Sequence, residues 1–379
     1  MNNVEKIKNI EFLRVVGCLT IVLHHFFYSK IMLNLDLFSK FHTMTSNGQK
    51  AVDLFFIISG FFFIYTYKKD CSLFTFLKKK IIRFWPVMTF VLLLSAVVPF
   101  IPFNFYSAII TFLGLNGTIL IFKTQETLGV FWYVSSMIWT FLLFKYLLMN
   151  YKKKNVDLFI AISIFLSYSL LINNQGGGIF GQAKFFGFIN SAMCRAIGGI
   201  GIGYFIGQLY KTHIDTIKHL SLNITEKLFI TVLEFCCLFF IINNLMLHKI
   251  KFDNQIVFII VFALTIILFL IKQGYISMWL EKDIFSKIAK YTLSIYLTHE
   301  VIARGFISLY QHNIELIQMY PVFFIGCYLI CVITFGIATY YLIEQPAYIY
   351  LSNRSNAVFA ERERERERER VIPLVVKFA

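Results

Sequence analysis

The sequence predicts an all-α, polytopic membrane protein of about ten transmembrane helices plus one re-entrant or interfacial segment. Three observations carry that expectation. Of 379 residues, 58% are hydrophobic and only 15% are charged, against roughly a quarter charged in a soluble domain. Apolar runs of about 17–25 residues recur along the chain, each long enough to cross a hydrocarbon core of about 30 Å. The Lys and Arg residues behind the net charge of +15 fall in short clusters between those runs, where they set topology. Placed there, the charge argues against a nucleic-acid partner and for the lipid bilayer. A membrane β-barrel would show alternating segments of about ten residues instead.

The basic clusters lie at Lys6–Lys8, Lys68–Lys80 and Tyr151–Asn155, with weaker ones near 210–220 and 272–287. If all face the cytoplasm, the spans fall at 10–28, 51–67, 82–103, 128–149, 157–173, 187–209, 227–247, 255–271, 288–310 and 321–343, with both termini cytoplasmic. Residues 105–122, "FYSAIITFLGLNGTILIF", are apolar enough for an eleventh span. Counting them as one would put Lys152–Lys154 outside, and the internal "GLNGT" suits a broken segment covered by protein or water. A re-entrant or interfacial segment is therefore expected. Residues 1–350 form the membrane domain and 351–379 a cytoplasmic tail.

The first span carries an arginine near one end and two adjacent histidines near the other, "FLRVVGCLTIVLHHFF". No small-residue cleavage site follows it, so it is expected as a retained helix. Arg14 and His25 lie eleven residues apart. At about 100° and 1.5 Å per residue they share one face, offset by roughly 20° and about 16 Å along the axis. His24 points about 100° away. Snorkelling of Arg14 and headgroup placement of the histidines would explain each residue singly. Their alignment over three turns favours a functional face.

Asp53 opens the second span at the depth of His25. It is either a first-turn carboxylate favoured by the helix dipole or a carboxylate that orients the imidazole, as in hydrolytic triads. Lys80 and Arg83 flank the inner end of the third span, as topology signals or as a phosphate-binding pair. In the fourth, Trp132, Tyr133, Ser135 and Ser136 form an aromatic belt or line a substrate path. Arg195, inside the sixth span, needs a partner or a wet cavity, and the glycines around it suit close helix packing. His299 and Glu300 interrupt the ninth span, and Glu300 stands i,i+4 from Arg304, a pairing distance. Glu344 ends the last helix, which Pro346 is expected to stop. The seven cysteines lie mostly inside apolar segments and show no C-x-x-C pair, so neither a disulfide framework nor a metal site is expected.

Taken together, these residues resemble the integral-membrane acyltransferase-3 family. The resemblance rests on the R-x10-H element Arg14–His25, "AVDLFFIISGFFF" (Ala51–Phe63), "KKKIIRFWP" (Lys78–Pro86), "FWYVSS" (Phe131–Ser136), "YTLSIYLTHE" (Tyr291–Glu300) and "IEQP" (Ile343–Pro346), in that order. The family often has R-x-x-R where this chain has Lys80 and Arg83, and lysine lacks the bidentate fork. The resemblance implies O-acyl transfer, usually acetyl, from cytoplasmic acyl-CoA to a hydroxyl of an extracytoplasmic carbohydrate such as lipopolysaccharide O-antigen or capsule. It implies His25 as general base or acyl relay, with Asp53 and Arg14 beside it in the catalytic set. Arg14, Lys80 and Arg83 would hold the phosphates of acetyl-CoA, a co-substrate and not a permanently bound cofactor. Trp132, Tyr133, Ser135, Arg195, His299 and Glu300 would line the substrate path. No appended extracytoplasmic domain is expected, so transfer is completed by the membrane part or by a separate extracytoplasmic partner. A bacterial inner membrane is the expected location, in keeping with the heavy use of Phe, Ile, Lys and Asn.

The rival class is a multi-pass exporter of a glycan or small anion, although inverted repeats with paired broken helices are not visible between the halves. The tail holds five Glu-Arg repeats, residues 361–370. They read either as a solvated helix with i,i+3 pairs or as a GA dinucleotide tract in the coding DNA, prone to slip and shift the frame. The second reading would make expression or the C-terminus phase-variable.

Overall fold

A computed structural model describes residues 7–27, 45, 47–98, 101, 103–118, 128–173, 184–186, 189–247, 256–312 and 319–354. It is almost entirely helical. The long helices are α1 (Lys8–Phe27), α2 (Ala51–Tyr65), α3 (Leu73–Val97), then α5 (Phe131–Asn150) and α6 (Lys153–Ile172) after the short α4 (Phe105–Phe112). A two-stranded hairpin, β1 (Lys184–Phe185) and β2 (Ile189–Asn190), leads into α7 (Ser191–Lys218) and α8 (Ile224–Ile242). There follow α9 (Ile256–Ile271), the short α10 (Tyr275–Trp279) and α11 (Asp283–Ala289), then α12 (Thr292–His312) and α13 (Pro321–Thr339). Among the described residues, seven helices are long and apolar enough to cross a membrane. Of the other expected spans, α9 is apolar but 16 residues long, while α7 and α12 are long but less apolar, α7 being interrupted by Arg195 and many glycines and α12 by His299, Glu300 and Arg304.

Local chemistry sets the helix starts. Ser72 caps α3 by accepting from Thr75 N–H, Asn104 caps α4 through Ser107 N–H, and Asn190 caps α7 through Ala192 N–H. Asn223 and Glu226 form a reciprocal capping box on α8. Pro321 begins α13 where its missing N–H costs nothing.

The segment expected to be re-entrant holds an eight-residue helix, α4, about 12 Å long and too short to span. It turns back through Gly114 and Gly117, both with positive φ. The exposed turn carbonyls are met by indole N–H groups from mid-helix tryptophans: Trp85 donates to Phe112 O at 2.8 Å and Trp139 to Gly114 O at 2.9 Å. The turn therefore sits at the middle of α3 and α5, with its backbone satisfied by protein. Residues 119–122 of that segment lie outside the described residues.

The last helix does not stop where expected. It continues through a π-helical turn, Tyr340–Glu344, and the apolar helix runs to Arg354. Pro346 lacks an N–H and would press on the carbonyl four residues back. The wider i→i+5 turn just before it relieves that clash and keeps the helix going.

Packing is closest between α2 and α7. On α7, Gly199, Gly203 and Gly207 recur every four residues, and a Cβ at Gly203 would run into the Ile57 carbonyl. The two backbones meet without side chains between them, as small-residue membrane interfaces do. Elsewhere α1 lies against α11 and α12, and α12 against α13. The described basic clusters gather at one end of the bundle. Lys8 pairs with Asp283 at 2.9 Å, Lys145 donates to Lys68 O at 2.8 Å, Lys211 to Ile64 O at 3.4 Å, and Gln273 to Leu220 O at 3.0 Å. His25 lies at the opposite end.

Candidate functional site

Helices α1 and α12 run parallel and in register. Cys18 Sγ approaches Thr292 O at 3.6 Å, and two turns further along both helices His25 meets His299. The Nδ1 of His25 lies 2.8 Å from the Nε2 of His299, with the rings stacked at 5.0 Å. His299 is fully buried, and its Nδ1 lies 2.6 Å from the Tyr296 carbonyl. His25 is only partly buried and forms the accessible end of the pair. His24 points away, as the helical angle requires, with its Nδ1 2.8 Å from Thr45 O.

Aromatic residues surround the pair. The Tyr296 ring packs on Tyr133 at 5.6 Å, and its hydroxyl donates to Val130 O at 3.1 Å. Tyr133 in turn shares a 3.2 Å hydrogen bond with Ser59 of the "IISG" stretch. One residue past His299, Glu300 Oε1 accepts from Arg304 Nη2 at 2.6 Å and Nε at 3.2 Å, the i,i+4 pairing the spacing suggests. Glu300 Oε2 is buried without a hydrogen-bond partner among the described residues.

The partner of His25 is therefore an imidazole, and not the carboxylate expected from sequence. Asp53 is fully buried against Arg195, with Oδ2 2.6 Å from Nη2 and Oδ1 3.3 Å from Nε. Arg195 Nη2 also donates to Gln49 O at 3.3 Å, and its guanidinium lies 5.0 Å over the Trp132 ring. The physical reason is the glycine face. Arg195 stands one turn before Gly199 on the side of α7 that meets α2, so the close approach carries it onto Asp53. Arg195 thus has the buried partner its depth demands. Ser135 and Ser136 are buried and donate back to the carbonyls of Phe131 and Trp132 on their own helix.

At the other end stand Arg14, Arg83 and Lys80, the last within electrostatic reach of Arg83. Arg14 donates to Glu11 at 2.7 Å. Arg14 and Arg83 both lie within electrostatic reach of Glu344, which is buried and accepts from Ser294 Oγ at 2.6 Å. Lys80 faces α5 and rests over the rings of Phe141 (4.4 Å) and Phe76 (5.3 Å). Sequence reasoning missed three contributors: His299 as the direct partner of His25, Tyr296 as its anchor, and Glu344 as the acid between the arginines. Only the polar interruption of an apolar run marked them. Among the described residues, no group of three His, Cys, Asp or Glu side chains is arranged to hold a metal.

Residues 7–337 match the family described as an acyltransferase domain. No curated protein and no solved structure matches the chain.

Proposed function

The chain belongs to the acyltransferase-3 family, and we propose that it is an O-acyltransferase, acetyl-CoA being the donor and a hydroxyl of an extracytoplasmic carbohydrate the acceptor. The observation that carries this reading is the division of labour along α1. An accessible imidazole backed by a second one stands at one end, and Arg14, with Arg83 nearby, at the other. As a base, His25 takes the proton of the acceptor hydroxyl while its oxygen attacks the thioester carbonyl. The carbon–sulfur bond then breaks, and the CoA thiolate leaves with the proton now held on the imidazole. As a relay, an imidazole nitrogen of His25 first bonds the acyl carbon as the CoA thiolate leaves, then passes the acyl group to the acceptor oxygen and takes up the hydroxyl proton. Arg14 and Arg83 are suited to the anionic phosphates of the donor. Lys80, seated on two phenylalanine rings, contributes less.

The basic clusters at one end of the bundle support reading that end as cytoplasmic by the positive-inside tendency, and we propose a bacterial inner membrane as the location. The donor then enters from inside and the acceptor from outside, a lipopolysaccharide O-antigen or capsule among the candidates, with a separate extracytoplasmic transferase as a further partner. Residues 361–370 lie outside the described residues. A frame slip there would leave Arg14 through Glu344 unchanged, so phase variation would act through the tail and not through the site.

The test is transfer from labelled acetyl-CoA to a surface-glycan fraction by purified protein. His25→Ala is expected to lose about 10²–10⁴-fold in rate, and Arg14→Ala to raise the acetyl-CoA requirement. Transfer unaffected by His25→Ala would overturn the reading. No transfer by the wild type in the presence of donor and acceptor would return the exporter reading to first place.

A further inference from the structure

The hydrogen bonds around His299 have only one consistent direction. The Tyr296 carbonyl can only accept, so the nitrogen 2.6 Å from it, His299 Nδ1, carries a proton. His299 Nε2 then either bears a second proton or offers a lone pair. A second proton would make a fully buried cation. The charged groups facing the pair are His24 on α1 and Arg304 on α12, whose partner Glu300 is already engaged, and no described carboxylate bonds His299. An unpaired buried cation is costly, so His299 is neutral and its Nε2 accepts. The proton in the 2.8 Å contact therefore belongs to His25 Nδ1, and in neutral His25 the lone pair is on the remaining nitrogen, Nε2.

We propose that His299 is a positioning residue that fixes the tautomer of His25, so that Nε2 of His25 is the reacting atom. This rests on the reading of His25 as base or relay. Tyr296 orients His299, and His299 orients His25, through backbone and imidazole groups alone. A neutral ring does here what a carboxylate does in hydrolytic triads. As a base, His25 gains its proton at Nε2. As a relay, Nε2 bonds the acyl carbon as the carbon–sulfur bond breaks and the CoA thiolate leaves, the Nδ1 proton staying in its hydrogen bond to His299 Nε2; the acceptor oxygen then takes the acyl group, and Nε2 takes up the hydroxyl proton as its bond to the acyl carbon breaks.

Two polar replacements separate the links of this chain. His299→Asn can still donate to the Tyr296 carbonyl but falls short of His25. His299→Gln reaches His25 with an amide oxygen that accepts the Nδ1 proton. The expected result is a fall in kcat of about 10–100-fold for His299→Asn, the usual cost of losing an orienting partner, with KM for acetyl-CoA unchanged and His299→Gln close to wild type. Equal activity in both variants, whether retained or lost, overturns the proposal. A second readout does not depend on acyl transfer: the rate at which diethyl pyrocarbonate carbethoxylates His25, followed by mass spectrometry of the purified protein. Slower modification in His299→Asn than in His299→Gln supports the assignment, and equal rates overturn it even if the protein transfers no acyl group.

Discussion

Replacing Asp53 by alanine would distinguish a structural carboxylate from a catalytic one. The substitution leaves Arg195 almost wholly buried without its carboxylate, while the Gln49 carbonyl and the Trp132 face stay in place. Breaking a buried ion pair by removing one partner costs about 3–5 kcal/mol, and the cation–π contact recovers none of that, since it is present already. Arg195→Met strands Asp53 in the same way and is expected to cost a similar amount. The double variant Asp53→Ala/Arg195→Met removes both members of the pair, with Lys50 the buried cation that remains nearby. The double variant's loss is expected to be smaller than the sum of the singles by about 3 kcal/mol or more. Unfolding by titration with sodium dodecyl sulfate, followed by tryptophan fluorescence, reads the three variants, with Trp132 as a local reporter. The reasoning fails if Asp53→Ala unfolds like wild type yet has lost transfer, because Asp53 would then act on the chemistry, or if the two losses simply add.

Four further outcomes are expected. Gly203→Ala places a methyl group against the Ile57 carbonyl and should destabilise by about 1–3 kcal/mol, read in the same titration. Glu234 accepts from the backbone N–H groups of Ile276 and Ser277, so Glu234→Ala leaves two donors without their acceptor and should cost about 1–3 kcal/mol. Trp85→Phe orphans the Phe112 carbonyl and should speed hydrogen exchange in residues 105–118, measured by mass spectrometry. Lys8 beside Asp283 holds that exposed carboxyl below its usual range. A lowered folded pKa means stabilisation that is present above about pH 3.9 and lost as the pH falls through the folded value. Protection from exchange at residues 8–12 and 283–289, corrected for the intrinsic pH dependence of amide exchange, should therefore be unchanged from pH 7 to pH 5 and fall only below the ordinary carboxylate range.

Much of the helical order was legible because a span must be long and apolar and its flanks basic, and both are local properties. The Arg14–His25 face, the Glu300–Arg304 pair and the glycine packing around Arg195 were legible for the same reason, since each is a spacing within one helix. Partners between helices were not. His25 finds His299 across 274 residues and Arg195 finds Asp53 across 142. In a bilayer an apolar face packs almost as well on lipid as on protein, so hydrophobic pattern does not say which helices meet. Asp53, at the depth of His25 and in a triad-like combination, was the natural candidate partner, yet the glycine contact took it to α7. Pro346 misled for a different reason. The proline rule assumes an α-helical turn before it, and this chain supplies a π turn.

The parallel lie of α1 and α12 also has a consequence in time. A ribosome delivers His25 among the first residues and His299 only after most of the chain has been made. Until α12 inserts beside α1, His25 lacks the imidazole that its Nδ1 meets in the folded chain. A chain whose synthesis is cut short before residue 299 would thus carry Arg14, Arg83 and His25 but not the second imidazole, and the pairing of the two histidines forms only in the closing third of translation.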